Sequence, residues 1–200
     1  MPAGIGDASG LGFTPAARIL HRSGIDGAAR SGSTGVVSDL KQIRAAILIV
    51  IVGLVLSGVT AFPLLHEVNL LAGLLAGDSR DPAAHTGLVH WILSVREGLE
   101  VTYARYPFIA YGTDWLAFAH LTIAMFFVLP WRDPQRYVGV LKVGVWASLL
   151  VIPLAFICGP VRGIPLGWRV IDSSFGIGCV VPLVFALWKV NKLGKAGGGG

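Results

Sequence analysis

The sequence predicts an all-α membrane protein: a four transmembrane helix bundle with an external amphipathic helical segment between spans 1 and 2. Three observations carry this. The 200 residues are 54% hydrophobic and only 14% charged, with a mean hydropathy of +0.71. A soluble domain of this size is about a quarter charged, so this chain has too little polar surface to cover a core in water. Four runs are each long and apolar enough to cross the hydrocarbon of a bilayer, which takes about 20 residues. Lysine and arginine gather at alternate ends of those runs, as the positive-inside rule describes.

Residues 1–43 are rich in Gly, Ala and Ser and show little periodicity. They read as a disordered cytoplasmic tail. A signal peptide would place its apolar core within about the first 30 residues. Here the first such core starts at 45, so it reads as an uncleaved anchor. A mitochondrial transit peptide is the rival, with Arg18, Arg22 and Arg30 among small residues, but Asp7, Asp26 and Asp39 oppose it.

The membrane domain covers 44–190. Its spans are 45–63, 115–131, 138–158 and 173–190. All must be helical, because an unpaired backbone amide in hydrocarbon is too costly. Lys142 lies one turn inside span three and can snorkel outward. Pro153 and Pro182 should kink spans three and four. The pairs Gly144/Ser148 and Ser174/Gly178 are small-xxx-small spacings that permit close helix approach. Residues 191–200, ending in GGGG, form a flexible tail.

Charge sets the orientation. Arg18, Arg22, Arg30, Lys41 and Arg44 precede span one. Arg132, Arg136 and Lys142 lie between spans two and three, and Lys189, Lys192 and Lys195 close span four. Both termini are therefore expected in the cytoplasm. The 64–114 segment and the 159–172 loop are expected outside. No basic stripe is interleaved with stacking aromatics, so the net charge of +5 does not point to nucleic acid.

The external segment 64–114 is too long for a plain connector. Leu64, Leu65, Val68, Leu71, Ala72 and Leu75 fall at helical spacing and predict a short amphipathic helix at the membrane surface. "AGDSRDPAA" breaks the chain. A second helix is predicted over about 85–105, with an apolar stripe of Leu88, Trp91, Ile92, Val95, Leu99 and Tyr103 and an Arg96–Glu100 pair. Pro107 stops it. Tyr103, Tyr106, Tyr111 and Trp115 then form the aromatic belt of an interface.

Polar groups inside spans mark functional sites, because they are costly there. His120 is the one span residue that titrates near neutral pH. Its structural alternative is a neutral ring bonded to a neighbouring helix. Asp114 and Asp172 open spans two and four, where each can cap the first turn. Alternatively they pair with Arg162 and Arg169 of the rigid loop "CGPVRGIPLGWRVID" over His120. The candidate ligand-binding set is Arg105, Asp114, His120, Arg162 and Asp172.

Other chemistries fit less well. No cofactor is predicted, although one b-type haem or a quinone near His120 is the alternative, with His66 or His90 as a second axial ligand. His66-Glu67 starts like HExxH but continues Val68, Asn69, Leu70, so no zincin site forms. Cys158 and Cys179 have neither CxxC nor metal-ligand spacing, and no span holds a deep carboxylate for a multidrug-type exporter. Nothing points to catalysis. A small oligomeric transporter is the third reading, and the bilayer, a second copy or a membrane subunit are the expected partners.

"ARYPFIAYGTDWLAFAH" (104–120) with "GPVRGIP" (159–165) resembles a family of small bacterial four-span inner-membrane proteins. The resemblance spans roughly 45–190. It implies a four-span fold in a bacterial inner membrane and transfers no activity and no site residue.

Overall fold

Apolar runs, prolines and glycines decide where the helices lie. The computed structural model describes residues 15–197, with side chains from 35 to 195. Two compact units divide the chain, Met1–Leu40 and Lys41–Gly200. All packing described below lies in the second. The order is α1 (Pro15–Ala61), α2 (Leu64–Leu75), a 3-10 turn (Pro82–Ala84), α3 (Gly87–Arg105), a second 3-10 turn (Pro107–Ile109), α4 (Ala110–Arg132), α5 (Val138–Val161) and α6 (Leu166–Gly197). There is no strand among the described residues.

Four of these helices are long and apolar enough to cross a membrane: Gly35–Ala61, Pro107–Arg132, Val138–Val161 and Leu166–Lys195. The all-α four-helix bundle expected from hydropathy is therefore present. Its boundaries differ from the apolar runs. The segment expected to be unstructured over 1–43 is helical from Pro15, and residues 1–14 lie outside the described residues. Extending an existing helix adds one hydrogen bond per residue and needs no new nucleus. Helix α6 likewise starts at Leu166 and runs past Val190 to Gly197. Helices α5 and α6 continue through Pro153 and Pro182.

Glycines fix how closely the long helices approach. A Cβ on Gly58 would sit 2.9 Å from the Ala117 carbonyl oxygen, where α1 crosses α4. One on Gly144 would strike the Phe127 ring and Leu183, where α4, α5 and α6 meet. One on Gly176 would fall 2.6 Å from the Ser148 carbonyl oxygen of α5. Sequence spacing predicts Ser174 and Gly178 as the small pair of α6. Both are exposed, and Gly176 with the buried Ser173 takes the packed face instead.

The largest fully buried side chains of the long helices are Ile43, Ile47, Pro130, Leu141 and Leu183. All lie towards one end of the bundle. Arg44 fastens that end by donating from Nε to the Trp131 carbonyl (3.2 Å) and from a terminal nitrogen to the Arg132 carbonyl (3.1 Å). These carbonyls belong to the last turn of α4, which has no intrahelical partner for them. The long helices otherwise leave large apolar residues outside: Met125, Val143, Trp146, Ile157 and Phe175 are all well exposed. Contiguous apolar surface of this kind belongs against lipid or another apolar partner.

At the opposite end, α2 and α3 form a helical hairpin around Ala72, Ala76, Ile92 and Leu93. Trp168, near the start of α6, packs against this core and ties the hairpin to the bundle. The hairpin turn needs Gly77 at φ 58° and Gly87 at φ 62°, conformations open to glycine at little cost. His85 Nε2 donates to the Ser79 carbonyl at 3.0 Å, and His90 Nδ1 to the Pro82 carbonyl at 2.8 Å. Both histidines hold the turn closed. The predicted stripe of α3 faces inward at Ile92, which is buried, and at Trp91, Val95, Leu99 and Tyr103, which are half-buried; Leu93 joins that face fully buried, whereas Leu88 is 45% exposed. Arg96 and Glu100 pair as expected, at 3.5 Å.

Gly176→Leu should lower the thermal midpoint of the detergent-solubilised protein, an overpacking cost of about 1–3 kcal/mol. Gly178→Ala, whose Cβ meets nothing within 4 Å, should leave it unchanged. Equal effects in a melting experiment would show that the α5–α6 approach does not depend on Gly176.

Candidate functional site

Small residues on the facing sides of the long helices leave a cavity of about 780 Å³ among α1, α4, α5 and α6. Val50 and Leu54 bound it on α1, and Phe126 and Phe127 on α4. Gly139, Gly144 and Ala147 of α5 and Gly176 of α6 supply little side chain, so the space stays open. The wall is almost wholly apolar. Its polar side chains are His120, Ser148 and Cys179.

These three differ in what they offer a ligand. Ser148 Oγ donates to the Gly144 carbonyl at 2.8 Å, so its proton is engaged within α5. Cys179 is a small, weakly polar thiol. His120 Nδ1 lies 2.8 Å from the Leu116 carbonyl one turn back on α4. A carbonyl oxygen can only accept, so Nδ1 carries the proton. In the neutral ring Nε2 is then an acceptor with a free lone pair. His120 is thus bonded to its own helix, rather than to a neighbouring one as the structural alternative supposed. By helical rise it lies about 15 Å from the start of α4, near mid-helix and deeper than its offset from Trp115 suggests.

The structure does not gather the other four candidates around it. Arg105 ends α3, exposed, with its guanidinium 5.3 Å from the Tyr106 ring centroid. Arg162 is the exposed C-terminal residue bounding α5. Asp114 and Asp172 are half-buried. Neither caps a helix: α4 begins at Ala110 after Ile109, and α6 begins at Leu166. The helices start earlier because Pro107 and Pro165 set the first turns. Among the described residues, no side-chain hydrogen bond or ion pair joins Arg105, Asp114, Arg162 or Asp172 to His120, and none of the four lines the cavity. His66 and His90 do not line it either.

Sequence reasoning missed four buried donors. Trp91 Nε1, Arg96 Nε and Tyr103 Oη on α3, and Arg169 Nε on α6, have no hydrogen-bond partner. Arg169 lies across the backbone at Gly159, where a Cβ would collide with its side chain. Trp91 and Tyr103 sat on the predicted apolar stripe, Arg96 was expected to pair with Glu100 and Arg169 with an aspartate, so no residue pattern marked any of the four as a buried donor without a partner. Among the described residues no group of three or more His, Cys, Asp or Glu side chains could hold a metal ion.

Comparison with protein-family models, with curated proteins and with solved structures finds no match for this chain. The functional reading therefore rests on the geometry of the bundle.

Proposed function

We propose that this is a multi-pass protein of a bacterial inner membrane that binds a small lipophilic ligand in the cavity beside His120. The observation that carries the proposal is the single hydrogen bond of that ring. Nδ1 is committed to the Leu116 carbonyl, so Nε2 is the one unengaged imidazole atom in an otherwise apolar wall. A ligand that complements it is largely hydrocarbon or aromatic and carries one hydroxyl donor. A quinol has this chemistry. Pockets for small ligands combine such an apolar lining with few polar groups. The site is narrower than the five-residue cluster suggested by the sequence, since His120 alone of that set lines the cavity.

The same atom supports a redox form of the reading. A histidine whose Nδ1–H is held by a carbonyl presents Nε2 as a ligand, so a single axial bond to a b-type haem would use it too. A purified sample with a Soret band would favour that form over a reversible quinol site.

The binding proposal is tested with a short-chain benzoquinol and its dimethyl ether, read by thermal shift in detergent. The quinol should bind, and His120→Leu should weaken it about tenfold, the worth of one hydrogen bond. The ether, lacking a donor, should bind the native protein and His120→Leu alike. His120→Leu should not lower the thermal midpoint without ligand, because its ring joins no other helix. Unchanged quinol affinity, or a large loss of ligand-free stability, contradicts a binding role for His120.

The orientation proposed puts both termini in the cytoplasm. It rests on Lys41, Arg44, Arg132, Arg136, Lys189, Lys192 and Lys195 clustering at the bundle end that Arg44 fastens. Asp81→Cys, in a background with Cys158 and Cys179 replaced by Ser, should react with an impermeant maleimide added outside spheroplasts. Reaction only after the cytoplasmic face is opened would reverse the assignment.

A further inference from the structure

A second recess lies on the bundle surface, distinct from the His120 cavity. It is a groove of about 520 Å³ between α1 and α6, walled by Ala45, Ala46 and Ile49 on one side and Gly178, Pro182 and Phe185 on the other. The lining is apolar apart from Gln42 at one end. Residues 178, 181, 182 and 185 occupy one face of α6. Continuing by helical spacing, Lys189 and Lys192 fall at i+4 and i+7 from Phe185, on the same face. Lys189 Nζ stands 5.6 Å from the Phe185 ring centroid, and Lys192 Nζ stands 5.8 Å from that of Trp188. Each ammonium group faces an aromatic ring of α6, which favours it there.

The groove end is strongly cationic. Lys41, Arg132, Arg136, Lys142 and Lys195 lie at the same end of the bundle, with Asp133 among them. Asp133 Oδ1 already accepts from the Arg136 amide at 3.1 Å. An occupant must therefore match an apolar channel along the helix axis and positive charge beyond its mouth. A water-soluble anion has no use for the channel, and an uncharged hydrocarbon has no use for the lysines.

We propose that this groove is a binding site for an anionic phospholipid of the surrounding leaflet. One acyl chain lies between Ala46 and Gly178. The phosphodiester meets Lys192. Basic sites at the cytoplasmic ends of spans attract anionic headgroups by about 1 kcal/mol per cation, roughly a fivefold preference for each. Gly178 borders open space in the channel, since a Cβ there meets nothing within 4 Å, and a large side chain at 178 would occupy it.

Native mass spectrometry of the full-length protein, with phosphatidylglycerol or phosphatidylcholine of identical chains added to the detergent, tests this. Phosphatidylglycerol should be retained about fivefold more than phosphatidylcholine. Lys192→Gln should remove most of that preference while leaving phosphatidylcholine retention unchanged. Gly178→Leu should reduce retention of both lipids by filling the channel. Equal retention of the two lipids by the native protein would overturn the proposal. So would native-like retention by Gly178→Leu, which would leave only diffuse charge attraction. Lys192 is exposed on the surface, so Lys192→Gln decides the question even if Gly178→Leu does not fold.

Discussion

Everything in this bundle depends on three glycines that let helix backbones approach within side-chain distance. In lipid there is no hydrophobic drive to press apolar helices together, so packing contacts and close approach must do it. Gly58 meets the Ala117 carbonyl, Gly144 meets Phe127 and Leu183, and Gly176 meets the Ser148 carbonyl. These contacts bring α1 to α4 and join α4, α5 and α6. The same lack of side chains at Gly144 and Gly176 leaves the space that becomes the cavity. Packing and the cavity thus share residues. Filling either glycine would disturb both.

The polar groups of the long helices obey a second constraint. Thr122, Ser148 and Ser173 each donate to a carbonyl four residues back in their own helix, to Phe118, Gly144 and Arg169 respectively. A hydroxyl satisfied this way costs little in hydrocarbon and needs no partner helix. His120 follows the same pattern with Leu116, but an imidazole has a second nitrogen that a hydroxyl lacks. That difference separates it from its neighbours. The bundle is joined across helices by a polar bond at Arg44, whose guanidinium caps the end of α4.

Much of the architecture was legible in the sequence, because hydropathy and helical spacing are local properties. The run at 138–158 lies inside α5, that at 45–63 is helical up to Ala61 in α1, and Leu64–Leu75 is a helix as its spacing predicts. Helix starts were less legible. Prolines 107 and 165, with Gly163 at φ 69°, govern where α4 and α6 begin, and hydropathy does not register them. Asp114 and Asp172 therefore read as caps although they lie inside helices. At the edge of the α3 face, Leu88 and Leu93 are equally apolar, and only the partner α2 selects between them. His120 was visible as an oddity. Its acceptor, and the cavity beside it, follow from rotamer and helix packing, which no residue pattern encodes.

The central claim is that His120 Nδ1 donates to the Leu116 carbonyl and leaves Nε2 open to a ligand. Nitrogen NMR of the protein labelled with ¹⁵N-histidine in lipid, with His120→Leu to assign the resonance, reads this directly. The account predicts an Nδ1–H hydrogen-bonded to a carbonyl and a shift confined to Nε2 when a quinol is added. A protonated Nε2, or an imidazolium that the quinol leaves unchanged, would contradict it.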